Sequence, residues 1–282
     1  MQLTRLFLAV LATLASNAVA CVGTAPADDD PAGSASEQIE TGVAGAAAYP
    51  EVALLDGEKD GSPAPGCSGA LIAPRAVLTS ARCATRFDRW RVTFPFAAGQ
   101  AAQGVGFAVY DFGRAAGSQR DVDQSVDSFH GGHAVDRSVD SWRGTDSVDQ
   151  GPDTWLGDAH DVGVVFLDRP VLLRSYPEIA AAPVSNGGLV VAVARLHDGW
   201  LTSPGAYLSP PSTAEDASRE GFPYDYAVPG ADASGAGGPV VLPGTHTIVG
   251  VGAGSSEGTP LVARVDLLKA WIQDRIVAGG AS

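Results

Sequence analysis

The chain has 282 residues, 45% of them hydrophobic, 18% charged and 7% aromatic, a composition that excludes a disordered polymer, a coiled coil and a polytopic membrane protein. Its 35 glycines and 19 prolines call for many turns, so a body of roughly 250 residues is expected to be β-rich, as one domain or two smaller units. A formal net charge of −14 argues against a nucleic-acid partner, because phosphate binding rests on clustered Lys and Arg.

Met1 to Ala20 reads as an export signal, with Arg5 as the positive flank, Leu6 to Ala15 as an apolar run too short for a bilayer, and small residues at Ala18 and Ala20. The string Ala18-Val19-Ala20-Cys21 resembles a bacterial lipobox, in which the cysteine is acylated and becomes the first residue; ordinary cleavage after Ala20, leaving a free exported cysteine, is the alternative. Cysteine arithmetic favours the lipid. Cys67 and Cys83 enclose a compact loop within apolar sequence and are the natural disulfide pair of an exported protein, which leaves Cys21 over. Residues 22–37, with Asp28, Asp29 and Asp30 among Ala, Gly, Ser and Pro, read as a solvated acidic tether, and the folded part is expected to begin near Gln38. The expected location is therefore outside the cytoplasm, as a cell-envelope lipoprotein or a secreted protein. Membrane contact is expected only through a lipid on Cys21, and the protein is expected to be a monomer.

From Tyr49 onward the apolar runs are short, as in Glu51–Leu55, Ala70–Ile72, Ala76–Leu78, Val162–Leu167, Leu189–Val193 and Thr247–Val251, and each is bounded by Gly, Pro, Asp or Ser. That rhythm predicts an all-β sandwich or barrel in preference to βαβ units. One stretch is helical by its spacing: Leu267, Leu268, Trp271, Ile272 and Ile276 share a face, with Asp266 as N-cap and Gly279-Gly280 as the stop. Between Asp121 and Asp158 a unit of 13 residues repeats, starting at Val122, Val135 and Val148, with an aromatic at Phe129, Trp142 and Trp155. The repeat reads as a duplicated loop extending a β-hairpin. Its recurrent Asp residues are the only candidate calcium ligands, but they lack the Asp-x-Asp-x-Asp-Gly spacing. His130 and His133 in the same loop read as solvent-facing, and no metal or other cofactor is otherwise expected.

The segment Cys67-Ser-Gly-Ala-Leu-Ile-Ala-Pro-Arg-Ala-Val-Leu-Thr-Ser-Ala-Arg-Cys83 resembles the trypsin-like serine proteases, whose equivalent reads C-x-G-x-L-I-x-x-x-x-V-L-T-A-A-H-C. Three more blocks follow in that family's order. His160-Asp-Val-Gly-Val-Val-Phe-Leu-Asp-Arg-Pro170 is similar to the strand that carries the triad aspartate. Ser234-Gly-Ala-Gly-Gly-Pro-Val-Val241 is similar to the nucleophile loop G-D-S-G-G-P-L-V, and Ala263 to Ile272 resembles the closing strand and C-terminal helix. The resemblance spans the chain from about Ile39 to its end. It implies two six-stranded antiparallel β-barrels with a cleft between them, a disulfide joining Cys67 and Cys83, and a C-terminal α-helix.

The same alignment departs from the family at the chemistry itself. Arg82 stands where the general-base histidine belongs and Ala236 where the nucleophilic serine belongs, while Asp161 matches the triad aspartate. Alanine offers no nucleophilic atom, and an arginine, with a pKa above about 12, does not accept a proton at neutral pH. Gly235 replaces the aspartate that would pair with a freshly cut N-terminus, and Ile39-Glu-Thr-Gly42 puts a carboxylate where an apolar side chain would be buried. Gly230 stands in place of the acid at the base of a trypsin-like primary pocket, so no preference for Arg or Lys substrates is encoded. Asp161 is expected to pair with Arg82, and the backbone N–H groups of Ala236 with Ser234 or Gly235 are expected to be able to form an oxyanion-like nest.

Three functions follow as expectations. The first is a catalytically inactive homologue, an exported scaffold that binds a protein or peptide. The second is a serine-type endopeptidase using other residues, for example His160, His197 or His246 with Ser234. The third is a surface adhesion or calcium-binding protein acting through the repeat loop.

Overall fold

A computed structural model of the chain describes residues 42–111, 161–195, 206–229, 236–256 and 258–280. All of them belong to the unit Ile39–Ser282. The expectations for Cys21 and its tether, for the Asp-rich repeat with His130 and His133, and for His160, His197, Gly230, Ser234 and Gly235 lie outside the described residues, as does the side chain of Asp161.

The first half contributes β1 (Val52–Lys59), β2 (Ser62–Ala73), β3 (Ala76–Thr79), β4 (Arg89–Phe94), β5 (Gln100–Asp111) and β6 (Asp161–Leu167), closed into an antiparallel barrel in the order β1-β2-β3-β6-β5-β4. The second half contributes β7 (Glu178–Ile179), β8 (Gly188–Arg195), β9 (Ala206–Leu208), β10 (Ser212–Asp216), β11 (Asp225–Ala227), β12 (Pro239–Val241), β13 (Thr247–Ser256) and β14 (Thr259–Arg264). Antiparallel pairings run β8-β10-β11-β14-β13-β12 and return from β12 to β8, closing a second six-stranded ring. Outside the ring, β9 extends β8 and β7 lies parallel to β13. The expected pair of barrels is thus present, and among the described residues closure pairs the long strands on both edges.

The six apolar runs supply β1, β2, β3, β6, β8 and β13, and most of their residues are buried on both faces; Leu189, 54% exposed near the start of β8, is the exception. Val52 and Leu54 join a core shared by the two barrels, whereas Ala53 and Leu55 point into the first barrel. In β6, Val162, Val164 and Phe166 take the shared side and Val165 and Leu167 the inner side. In β8, Val191 and Val193 face the shared core and Val190 the interior of the second barrel. A strand wedged between two apolar regions has no wet face, so its sequence shows a run in place of an alternation. The hairpin from β1 to β2 turns on Asp60 and Gly61, both at positive φ (53° and 76°), between the paired residues Lys59 and Ser62. That is the Asp-Gly chemistry of a two-residue hairpin loop, whose handedness matches the twist of the strands.

Three helices accompany the strands among the described residues: α1 (Gly42–Ala46), α2 (Ala81–Thr85) and α3 (Lys269–Ala278). The α3 helix stops where expected, with the Gly279 N–H bonded to Arg275 O and the Gly280 N–H to Val277 O. Its start differs from expectation. Asp266 does not cap it, because its carboxylate is held by the Arg264 guanidinium at 2.7 and 3.1 Å, and a 3-10 turn over Asp266–Leu268 leads into the helix. Leu268 and Ile272 are buried, whereas Leu267 is 47% exposed, since the 3-10 turn rotates it off the buried face. Among the described residues no helix is long and apolar enough to cross a membrane.

Candidate functional site

Arg82 is placed by a helix of five residues that could not hold itself. Ser80 caps it through its Oγ, which accepts from the Cys83 N–H at 3.3 Å, and the Cys67–Cys83 disulfide bolts it to β2. Ala81, Cys83 and Ala84 are buried, which leaves Arg82 partly exposed on the other side. The helix lies directly on β6: a Cβ at Gly163 would stand 2.7 Å from Ala84 Cβ and 3.0 Å from Ser80 O. Asp161 begins β6 two residues earlier, so the backbone brings the two matched positions to the same end of the first barrel. One turn on from Arg82, the Arg86 guanidinium is held below the ordinary arginine value, first by burial and then by the charge of Arg82.

Ala236 comes from the second barrel, on the turn that enters β12, and packs against the first barrel's inner core. The Ser68 N–H donates to its carbonyl at 3.0 Å, and Cys83 Sγ lies 3.5 Å from the same oxygen. Ser68, only 1% exposed, is a hub. Its carbonyl accepts from Thr79 Oγ1 at 2.7 Å and its Oγ accepts from the Arg195 N–H at 2.8 Å. The next residue, Gly237, sits at φ +78°, where a Cβ would overlap Thr79 Oγ1 and stand 3.2 Å from Cys83 Sγ. Its N–H is taken by Gly252 O at 2.7 Å, and the Gly252 N–H returns a bond to Gly238 O at 2.9 Å. The turn is therefore locked on three sides and brings Ala236 beside the helix of Arg82. The side chains at the two positions are a methyl group and a guanidinium, neither of which attacks a carbonyl or accepts a proton at neutral pH.

Beside this turn a charged contact crosses between the barrels. Arg195, at the end of β8, donates through Nη2 to Asp56 Oδ1 of β1 at 2.8 Å. The guanidinium is accommodated by Gly66, where a Cβ would lie 3.0 Å from Arg195 Cζ. Neither Arg195 nor Ser68 can be singled out from sequence, because Arg195 lies 127 residues from Ser68 and 139 from Asp56 along the chain.

His246 does not join the site. Its Nδ1 is 2.8 Å from Oε1 of Glu51, a carboxylate only 2% exposed, and its ring meets Tyr49 edge-on at 5.5 Å. It precedes β13 by one residue, while the turn of Ala236 is bonded at Gly252, six residues on and about 20 Å away along a strand. Burial, and next the Glu51 charge, push the Tyr49 hydroxyl above the ordinary tyrosine value. Burial likewise raises Tyr226, whose oxygen accepts the Val184 N–H at 2.9 Å. A folded-state pKa above the unfolded value of about 10 contributes stability in full below that pH and loses it above. Tyr49 and Tyr226 are therefore expected to ionise above the ordinary tyrosine range in an ultraviolet titration, with stability falling as the pH climbs past about 10. Ionisation of Tyr49 and Tyr226 in the folded protein at or below about pH 10 would contradict this.

Among the described residues no group of three or more His, Cys, Asp or Glu side chains is arranged to hold a metal ion. Neither a protein-family model nor a curated protein matches the chain. Among solved structures it is similar to kallikrein-related peptidase 10, at 15% identity and a TM-score of 0.51, over 82% of this chain and 98% of that one. It is similar to the scabies mite inactivated protease paralogue S-I1, at 16% identity and a TM-score of 0.54, over 82% and 97%. It is also similar to neuropsin, a serine protease of mouse brain, at 13% identity and a TM-score of 0.53, over 84% and 99%. At such identities the likeness speaks for the fold alone, and that fold is the two-barrel architecture of the trypsin-like serine proteases.

Proposed function

We propose that the chain is a non-catalytic relative of the trypsin-like serine proteases, exported and used as a scaffold whose cleft holds a protein or peptide without cutting it. One observation carries this reading: the turn bearing Ala236 is locked against Ser68, Thr79 and Cys83 beside the helix of Arg82, which supports matching these two positions to the family's nucleophile and base. Fold and activity separate readily when a site changes on a retained frame. One of the structures it resembles is that of an inactivated protease paralogue of the scabies mite. Export is supported by the Cys67–Cys83 disulfide, since such bonds form and persist in oxidising compartments. Acylation of Cys21 and pairing of Asp161 with Arg82 belong to the same proposal.

The test is hydrolysis of fluorescent casein by the purified protein, beside a variant carrying Arg82→His, Gly235→Asp and Ala236→Ser. The wild type is expected to be silent over hours and to resist a fluorophosphonate label. Turnover or labelling by the wild type would overturn the reading and reopen the search for an unorthodox nucleophile.

A further inference from the structure

The chain has two asparagines, and one of them, Asn186, is followed by a glycine. Asparagine is a thermolabile residue, and before a glycine no neighbouring side chain keeps the next backbone nitrogen from its amide carbon. Both Asn186 and Gly187 are exposed, and nothing lies within 4 Å of the place a Gly187 Cβ would take, so water and space are at hand. Hydrogen bonds hold the reaction back. Gly187, at φ +79°, is the third residue of a β-turn closed by the Gly188 N–H on Ser185 O at 2.7 Å. The Gly187 N–H donates to Ala214 O at 2.8 Å, and Asn186 Oδ1 accepts from the Asp216 N–H at 3.0 Å. The nitrogen and the carbonyl it would attack are thus each tied to β10, by separate bonds. That strand pairs with β8 from Ala214 opposite Gly188 to Ser212 opposite Val190, which is the contact that closes the second ring.

We propose that Asn186-Gly187 is a self-modification site gated by closure of the second barrel. When the seam between β8 and β10 opens, the Gly187 nitrogen bonds to Asn186 Cγ, the Cγ–Nδ2 bond breaks, and Nδ2 leaves as ammonia with the proton that the Gly187 nitrogen gave up. Water then opens the resulting succinimide at either carbonyl, giving aspartate or isoaspartate; only water is consumed, and nothing is oxidised or reduced. Isoaspartate routes the main chain through Cβ and Cγ and lengthens it by one methylene. The Gly187 N–H then no longer falls on Ala214 O, so the seam does not close again in register. The site records an opening of the second barrel and makes it permanent.

Trypsin reads the site directly, because the fragment of residues 175–195 contains Asn186 as its only amide side chain. The full chain is aged in mildly alkaline buffer, folded or unfolded in guanidinium chloride, and the acid form of that fragment is measured by mass spectrometry. The folded protein is expected to convert at least about tenfold more slowly, and equal rates overturn the gate. Asp216→Pro removes the N–H at a φ of −66°, which proline accepts, and is expected to speed conversion of the folded protein about fivefold, the worth of one hydrogen bond. Because it also removes the carboxylate that accepts from the Ser218 N–H, Asp216→Ala is its control and is expected to convert at the wild-type rate. A folded Asp216→Pro that converts no faster than Asp216→Ala overturns the proposal. Should the proline variant fail to fold, the two wild-type rates decide alone. For the permanence of the mark, aged protein with the extra negative charge is isolated by ion exchange, refolded and compared with Asn186→Asp, which has the same charge and an unaltered main chain. The isoaspartate-bearing molecules are expected to unfold at lower urea than Asn186→Asp, and coincident transitions overturn this part.

Discussion

Replacing Gly237 with alanine is expected to destabilise the fold by about 3 kcal/mol, the sum of a left-handed backbone penalty near 1 kcal/mol and an overpacking cost of about 2. Its Cβ would overlap Thr79 Oγ1, would stand 2.5 Å from Ser68 O, and would press towards the disulfide. The ring of contacts that holds Ala236 beside α2 would have to open. Gly61 has nearly the same φ, +76°, with nothing within 4 Å of its missing Cβ. Gly61→Ala is thus expected to cost only the backbone part, about 1 kcal/mol. Urea unfolding of the two variants checks the difference, and equal small losses would show that the turn is not locked as described.

Asp161→Ala is expected to cost on the order of 3 to 5 kcal/mol, if the charge of Arg82 loses its partner in a partly buried place. The backbone supports this proposed pair. Asp161 opens β6, Gly163 lies under α2, and Ser80 caps the helix that carries Arg82. Removing both charges by Asp161→Leu with Arg82→Met is expected to recover most of the loss, because an apolar pair of similar volume leaves no charge unmet. A single Asp161→Ala variant as stable as the wild type, measured by the same urea transitions, overturns the pairing. The double variant being worse than either single one would do so too, since coupled partners do not lose independently.

Runs such as Val52–Leu55 and Val162–Leu167 were legible as strands because both of their faces are dry. Strands with one wet face are harder to read. In β4, Arg89 and Arg91 are exposed while Trp90, Val92 and Phe94 are buried, an alternation readable in principle but short and broken by charges. The Asp60-Gly61 hairpin was equally present in the residues, and its positive φ angles show what the dipeptide was for. Asp266 misled in the opposite way: its type and position suit a cap, but Arg264, two residues earlier, claims the carboxylate. The pairing of His246 with Glu51, 195 residues apart, left no local trace at all.

What the residues determined by themselves is chemistry that belongs to a side chain wherever it stands. An alanine at 236 has no nucleophile and an arginine at 82 is no base, and the spacing of Cys67 and Cys83 made them a pair. Tertiary structure decided everything that needs two distant segments at once. Only closure of the two barrels brings the Ser68 N–H to Ala236 O, Arg195 to Asp56, and Thr79 Oγ1 to the one place where residue 237 can have no side chain. The physical reason is range: a covalent neighbour is written in the order of the chain, whereas a hydrogen bond across a packed interface exists only after burial has fixed both of its ends.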